Sequence, residues 1–345
     1  MVLLLIFKIN NKNKIQKIQN IQNINNKNKI QNITNINNKK KINDIQINKT
    51  HLFIASNDGF YIYRKHNLKL EKYWSINHGL PNDEIICFAF GKDSTLFVGT
   101  LHSGLYYKIA NEDFFRRVSS ISNDNLSSSI RCIHYNDGDL WVGTLNGVFN
   151  IDEKTFGVHS YNISSGLSHN NVGYIFSKGD SILIGTKSSY LTIFYDDIKE
   201  KILLSDELDI INTNMIVNDY NGDLWLSSAE NGIFYISKDT VIQYTINEGL
   251  LSNYCQGLFF DVNNRLWITH NEGLSNINIE NNKIETFHDR HGLDVRFISN
   301  SIAGNEDEIW FGTYNGIIKY DVNQKFINTT PPITTIDKIK INDKD

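Results

Sequence analysis

Cysteine is scarce and scattered in this chain of 345 residues. The three present, Cys87, Cys132 and Cys255, stand far apart and form no CxxC pair. A disulfide framework or a structural zinc site needs more sulfur at closer spacing, so both are excluded. The cysteines sit in apolar runs such as "EIICFAF" and "IRCIHY", which reads as small buried hydrophobes. Proline is equally rare, with three residues. Long apolar runs are missing too. The longest at the start, "MVLLLIF", falls far short of the ~20 residues of a membrane helix. It also lacks the basic leader and small-residue cleavage site of a secretion signal, so it leaves the compartment open, the cytoplasm included.

Catalytic signatures are lacking as well. No GxSxG, HExxH or GxxxxGK[ST] occurs, and "DYNGD" at Asp219–Asp223 lacks the remainder of a calcium loop and its terminal Glu. No enzyme activity, metal or cofactor is therefore expected. A lyase or hydrolase whose site is assembled from several distant stretches of the chain remains the alternative. Basic charge is missing from most of the chain. Residues 1–49 hold ten Lys and one acid, whereas residues 50–345 hold 24 basic and 37 acidic side chains, a balance of −13. Phosphate binding needs clustered Lys and Arg, so nucleic acid is not an expected partner. The basic start, residues 1–41, is low-complexity Asn/Lys/Gln/Ile. Its isoleucines recur mostly every third residue, a step that builds neither a helical face nor a strand face, so a disordered arm is expected. A basic tether is the functional alternative.

What is abundant is repetition. "DGDLWVGTLNGVFNID" at Asp137 returns as "NGDLWLSSAENGIFYIS" and "EDEIWFGTYNGIIKYD". Aligned on the opening hydrophobic pair, copies begin at Leu52, Leu96, Leu140, Ile182, Leu224, Leu266 and Ile309, at intervals of 44, 44, 42, 42, 42 and 43 residues. Each copy holds an apolar strand, a polar turn, the "LWVGT" strand, a turn closed by Gly, a third strand and a fourth. Four short strands per repeat, seven times over, predict an all-β, seven-bladed β-propeller of four-stranded antiparallel blades over residues 42–330. Trp141, Trp225, Trp267 and Trp310 share one repeat position, with Phe53, Phe97 and Leu183 in the other copies. One large side chain at a fixed depth suits packing between blades. Copy four has Ser188 and Ser189 where the turn Gly belongs, so its turn should be the least regular. "INDIQIN" at Ile42–Asn48 has the apolar spacing of a strand and can start the first blade; the last blade is less complete than the others, and closure needs this N-terminal strand to pair near it.

The phrase "DGDLWVGTLNG", together with linkers such as "SINHGLPNDEIICFAF", resembles the two-component regulator propeller repeat. The Gly-Leu linker element stands at Gly79-Leu80, Gly166-Leu167, Gly249-Leu250 and Gly292-Leu293. The end of the chain, residues 331–345, resembles the truncated start of the Ig-like domain with a triple-tyrosine signature that follows such propellers. The resemblance implies an extracytoplasmic sensor, periplasmic or extracellular, with a small molecule or oligosaccharide as ligand. A separate signalling protein or a second copy of the chain is the implied protein partner. No membrane span, kinase motif or DNA-binding domain accompanies the repeats. Fold alone does not decide between a sensor and a protein-interaction scaffold.

In a four-stranded blade, the turns between strands two and three emerge on the same face as the blade-to-blade linkers. Loops on a rigid scaffold are where binding concentrates. His78, His102, His169, Tyr254, His270, Arg290, His291, Arg296 and Tyr314 fall on that face and are the ligand-binding candidates. Aromatic rings stack on sugars, and His and Arg hydrogen-bond hydroxyls and carboxylates.

Overall fold

A computed structural model describes residues 5–8, 40–81, 84–118, 129–195, 198–238, 240–288 and 296–322. Arg290, His291 and residues 331–345 lie outside these, as does most of the N-terminal arm.

The described strands form seven four-stranded antiparallel sheets, six of them with their strands in sequence order. The blades are numbered one to seven along the chain. Their inner strands are Ile42–Ile47, Ile85–Phe90, Ile130–Asn136, Val172–Lys178, Thr213–Asn218, Cys255–Phe260 and Phe297–Gly304. Their second strands are His51–Ser56, Leu96–Thr100, Asp139–Thr144, Ser181–Thr186, Leu224–Ser228, Arg265–His270 and Glu308–Thr313. The second strands carry the "LWVGT" phrase. Leu96–Thr100 and Leu224–Ser228 are buried at every residue, because a blade's middle strands face a neighbouring blade on both sides. That explains an apolar run instead of alternation. The fourth strands face solvent and alternate loosely, as in Thr240–Tyr244.

Where the repeat carries tryptophan, the ring packs its blade on the next. Trp225 lies 4.9 Å from Tyr235 of its own blade and 6.0 Å, edge-on, from Phe260 of blade six. Trp267 repeats this with Phe287 and with Phe311 of blade seven. Such ring pairs add about 0.5–1.5 kcal/mol each beyond area burial. The buried indole N–H finds a partner in blades five and six, whereas that of Trp310 has none. Asp219 accepts from Trp225 at 3.2 Å, and Asp261 accepts from Trp267 at 2.8 Å. Asp219 further accepts from the backbone N–H of Asn221 and Asp223. The "NGD" turn is thus an Asx-type turn that reaches into the core.

The Gly within "LWVGT" has a different purpose from the turn Gly. A Cβ on Gly143 would stand 2.6 Å from Val172 of blade four, and one on Gly99 would stand 2.5 Å from Ile130 of blade three. Its missing side chain is what lets the next inner strand approach.

The ring closes between blades seven and one. The strand Leu5–Lys8 pairs antiparallel with Gly316–Asp321, placing Leu5 opposite Lys319 and Lys8 opposite Gly316. It supplies the fourth strand of blade seven. Four residues of the stretch expected as a disordered arm therefore belong to the propeller, which completes the last blade from the chain's other end. Trp310 seals the seam in one cluster with Ile42, Ile45, Leu52, Ile54 and Tyr63 of blade one. Glu308 bridges it electrostatically, 2.9 Å from Lys65 of blade one and 2.6 Å from Lys319 of its own blade. Burial opposes the Glu308 charge, yet the hydrogen bonds from Lys319 and Lys65 hold its carboxyl below the usual range. Among the described residues no helix is long and apolar enough to cross a membrane.

Candidate functional site

Two local devices build the face that carries the linkers. The first is a latch at the end of each second strand. The hydroxyl of Ser56, Thr100, Thr144, Ser228 or Thr313 donates to the carbonyl of Gly59, Gly104, Gly147, Gly232 or Gly316 across the turn, at 2.8–3.0 Å. These glycines adopt positive φ, between 75° and 153°, which side chains disfavour. Two blades depart from the latch. In blade four Ser188 and Ser189 replace the Gly, and the second and third strands keep only three residue pairs, Ile182 with Phe194 to Ile184 with Thr192. The Thr186 hydroxyl is left buried and without a partner. In blade six His270 stands at the latch position.

The second device is a bulge near the start of the inner strand in blades one to six. The register shifts between Ile42 and Asp44, Ile85 and Cys87, Ile130 and Cys132, Val172 and Tyr174, Thr213 and Met215, and Cys255 and Gly257. One extra residue is extruded at each place. These residues are Asn43, Ile86, Arg131, Gly173, Asn214 and Gln256. Two act as stitches to the next blade. The Asn43 amide donates to the Ile85 carbonyl, and that of Asn214 to the Cys255 carbonyl, both at 2.7 Å. Arg131 occupies the same position without such a bond, and its side chain is exposed.

Around the bulges lies a cavity of about 230 Å³. Blade three contributes Arg131; blade four Asn171, Gly173, Thr186 and Lys187; blade five Asn212, Thr213, Asn214 and Ala229; blade six Tyr254; blade seven Ser299. Linker ends and second-to-third-strand turns therefore converge at the mouth of the ring. Backbone pairing fixes the walls: the Lys187 N–H donates to the Asn171 carbonyl, and Lys187 forms a β-bridge with Asn212. The lining is polar, with amides and hydroxyls, two cations, and one aromatic ring, Tyr254, that is 40% exposed.

Of the candidates read from the sequence, Tyr254 alone among the described residues lines this cavity. His169 stands one step behind it: its Nδ1 accepts from the Asn171 N–H at 3.0 Å and so orients a wall residue. His78 accepts from the Ser75 N–H at 3.2 Å within the linker turn Ile76–His78. His102 and Arg296 are exposed on their loops. Tyr314 is partly exposed, and the Lys41 ammonium lies 6.0 Å from its ring. His270 is fully buried: Nδ1 faces the Tyr254 carbonyl at 3.1 Å and Nε2 the Ser275 hydroxyl at 2.8 Å. A ring nitrogen facing a carbonyl must carry the proton, so the neutral Nδ1–H tautomer satisfies both contacts. Burial pulls its pKa down to about 4, although the Tyr254 carbonyl opposes this. The other ten lining residues, Arg131, Asn171, Thr186, Lys187, Asn214 and Ser299 among them, were missed by reading the sequence.

No family model matches the chain. Among curated proteins it is similar to histidine kinase P4 of Formosa agariphila, 22% identical over 363 residues that cover 85% of this chain and 26% of that protein. Among solved structures it is similar to the extracellular domain of a hybrid two-component system of B. thetaiotaomicron. The TM-score is 0.72 at 21% identity, over 83% of this chain and 39% of that one. The chain resembles the extracellular propellers of two-component systems in fold as in repeat grammar. It spans about a quarter of the kinase and about two fifths of the solved extracellular domain. It is also similar to a catalytically inactive virginiamycin B lyase of Staphylococcus aureus solved with quinupristin. There the TM-score is 0.68 at 13% identity, over 82% of this chain and 96% of that one. An extracellular domain of a two-component system and a lyase thus share this architecture, and function has to be argued from the site.

Proposed function

We propose that the propeller is a ligand-binding sensor module of the extracytoplasmic type, acting outside the cytoplasm. It takes a small polar molecule, with a glycan fragment as the best-fitting class, at the mouth of the ring. The observation that carries this reading is the cavity assembled from five blades. Its amides and hydroxyls match the alternating donors and acceptors of a sugar, and Tyr254 offers a ring face for stacking. A rigid scaffold with a concave polar mouth is a usual place for a ligand. The described walls hold no histidine and no carboxylate, which favours binding over acid–base turnover. Output would then come from a signalling protein or a second copy that reads the occupied propeller.

A glycan array followed by calorimetry tests this. Saturable binding is expected for at least one oligosaccharide class, and Tyr254→Ala should weaken it about tenfold, through loss of a stacking contact of about 1–1.5 kcal/mol. Absence of binding to every glycan at millimolar concentration would sink the proposal.

A further inference from the structure

Elsewhere, buried Lys108 is held by the backbone carbonyls of Ile109, Ala110 and Glu112, and several other cations have carboxylate partners. Lys65 and Lys319 meet Glu308, Arg265 meets Asp261 at 2.7 Å, and Lys41 meets Glu84 at 3.0 Å. The two cations at the mouth are an exposed arginine and a half-buried lysine. Arg131 and Lys187 line one cavity, and neither forms an ion pair with a described carboxylate. No Asp or Glu is among the described lining residues. This local excess of positive charge sits on a body whose residues 50–345 are acidic by 13 charges. Two like charges in one concavity repel each other, and an incoming anion relieves that repulsion.

A second, independent observation points the same way. The fully buried Thr186 hydroxyl, at the cavity wall beside Lys187, has no partner, whereas the equivalent hydroxyls of five other blades are each tied to a turn carbonyl. A buried donor left unsatisfied is costly and calls for a partner, which a water or a ligand can supply. Its freedom follows from the chain itself, because Ser188 and Ser189 replace the Gly that closes the other latches.

We infer that the mouth recognises an anionic group, the carboxylate or sulfate of an acidic sugar, held between Arg131 and Lys187 with the Thr186 hydroxyl donating a further hydrogen bond. This rests on the ligand-binding reading above and sharpens it. The Arg131 guanidinium offers a planar fork to two oxygens of the anion, and Lys187 adds a point charge.

The test uses the full chain with isotopically methylated lysines, whose Lys187 resonance is followed by NMR at constant ionic strength. Glucuronate, glucose 6-sulfate, glucose and inorganic sulfate are the probes. A saturable shift is expected with glucuronate or glucose 6-sulfate and not with glucose, and whichever saturates lower identifies the anion. Arg131→Gln should weaken it about tenfold or more, the loss of one charge-assisted hydrogen bond. Thr186→Val should weaken it less, with melting temperatures unchanged in both variants. If glucose shifts Lys187 as strongly and Arg131→Gln changes nothing, the anionic reading is overturned while a neutral ligand remains. If inorganic sulfate alone shifts it, the site takes an adventitious ion only and the inference fails. If no probe moves Lys187, the inference also fails, and the glycan array judges the broader proposal on its own.

Discussion

Blades three and four are neighbours built to one pattern, and they differ at two places. Blade three has Trp141 in the wall and a closed latch from Thr144 to Gly147. Blade four has Leu183 in the wall, no Gly at the turn, and an unpaired Thr186. The first pattern is what a blade needs in order to stack. The second gives up a hydrogen bond and a ring, and it does so where the cavity opens. Within a repeat protein each copy is a control for the others, so a departure that costs stability marks a place to look for function.

The wall of blade three allows the largest effect. Trp141 lies 5.9 Å from Tyr161 and 6.0 Å from Phe194 of blade four, and it is buried in the cluster that joins the two blades. Trp141→Ala should cost about 3–5 kcal/mol, measured by denaturant unfolding. Leu183 fills the same position in blade four with a smaller side chain, and Leu183→Ala should cost no more than about 2–5 kcal/mol. A Trp141→Ala loss clearly below that of Leu183→Ala would mean that the ring does not set the strength of the wall.

The wall was legible in the sequence, and the mouth was not. Seven copies at near-constant spacing announced the blades, and a large side chain at one repeat position announced how they pack. Both signals are periodic, and period is what a sequence displays. The mouth is made by bulges and by register. Arg131 reads as an interruption of the apolar run "IRCIHY", but it occupies the position of Asn43 and Asn214, which was a pattern open to discovery. His270 read as a loop residue of the phrase "HNEG", although the alignment puts it in the column of Thr100 and Thr144, a buried one. The strand Leu5–Lys8 was unreadable for another reason: it finds its partner more than 300 residues away, at Gly316–Asp321.

His270 is the second departure from the latch, and it adds a pH dependence of defined sign. Its folded pKa, about 4, lies below the ordinary value of 6.5, so the unfolded chain binds the proton more readily. The stability it contributes is present above about pH 6.5 and is lost as the pH falls toward 4. His270→Thr, which restores the usual latch residue opposite Gly273, should flatten this acid limb of a pH–stability curve. Asp44 in the inner strand of blade one has the opposite sign. Burial raises its pKa to about 7, against the lowering effect of the Phe88 N–H, which donates to it at 3.0 Å. Its share of stability is complete below about pH 4 and disappears as the pH rises through 7. Asp44→Asn keeps an acceptor for Phe88 and should make the protein relatively more stable at pH 8. Unfolding series at pH 4, 6 and 8 on the two variants separate the limbs. Parallel curves for variant and parent would show that neither group changes protonation on folding.

The smallest expected effect tests the comparison most directly. Thr144→Val removes a latch that is made, so the Gly147 carbonyl loses a donor and stability should fall by about 1 kcal/mol. Thr186→Val removes a hydroxyl that bonds nothing, with nearly the same shape left behind, and should change stability by less than about 0.5 kcal/mol or raise it slightly. The order reverses for ligand affinity, where Thr144→Val should be silent and Thr186→Val should weaken binding. Melting curves and one binding titration on each variant are sufficient. Equal stability losses at the two threonines would mean that the blade-four hydroxyl has a partner after all, and the contrast between a blade built for stacking and one built for binding would collapse.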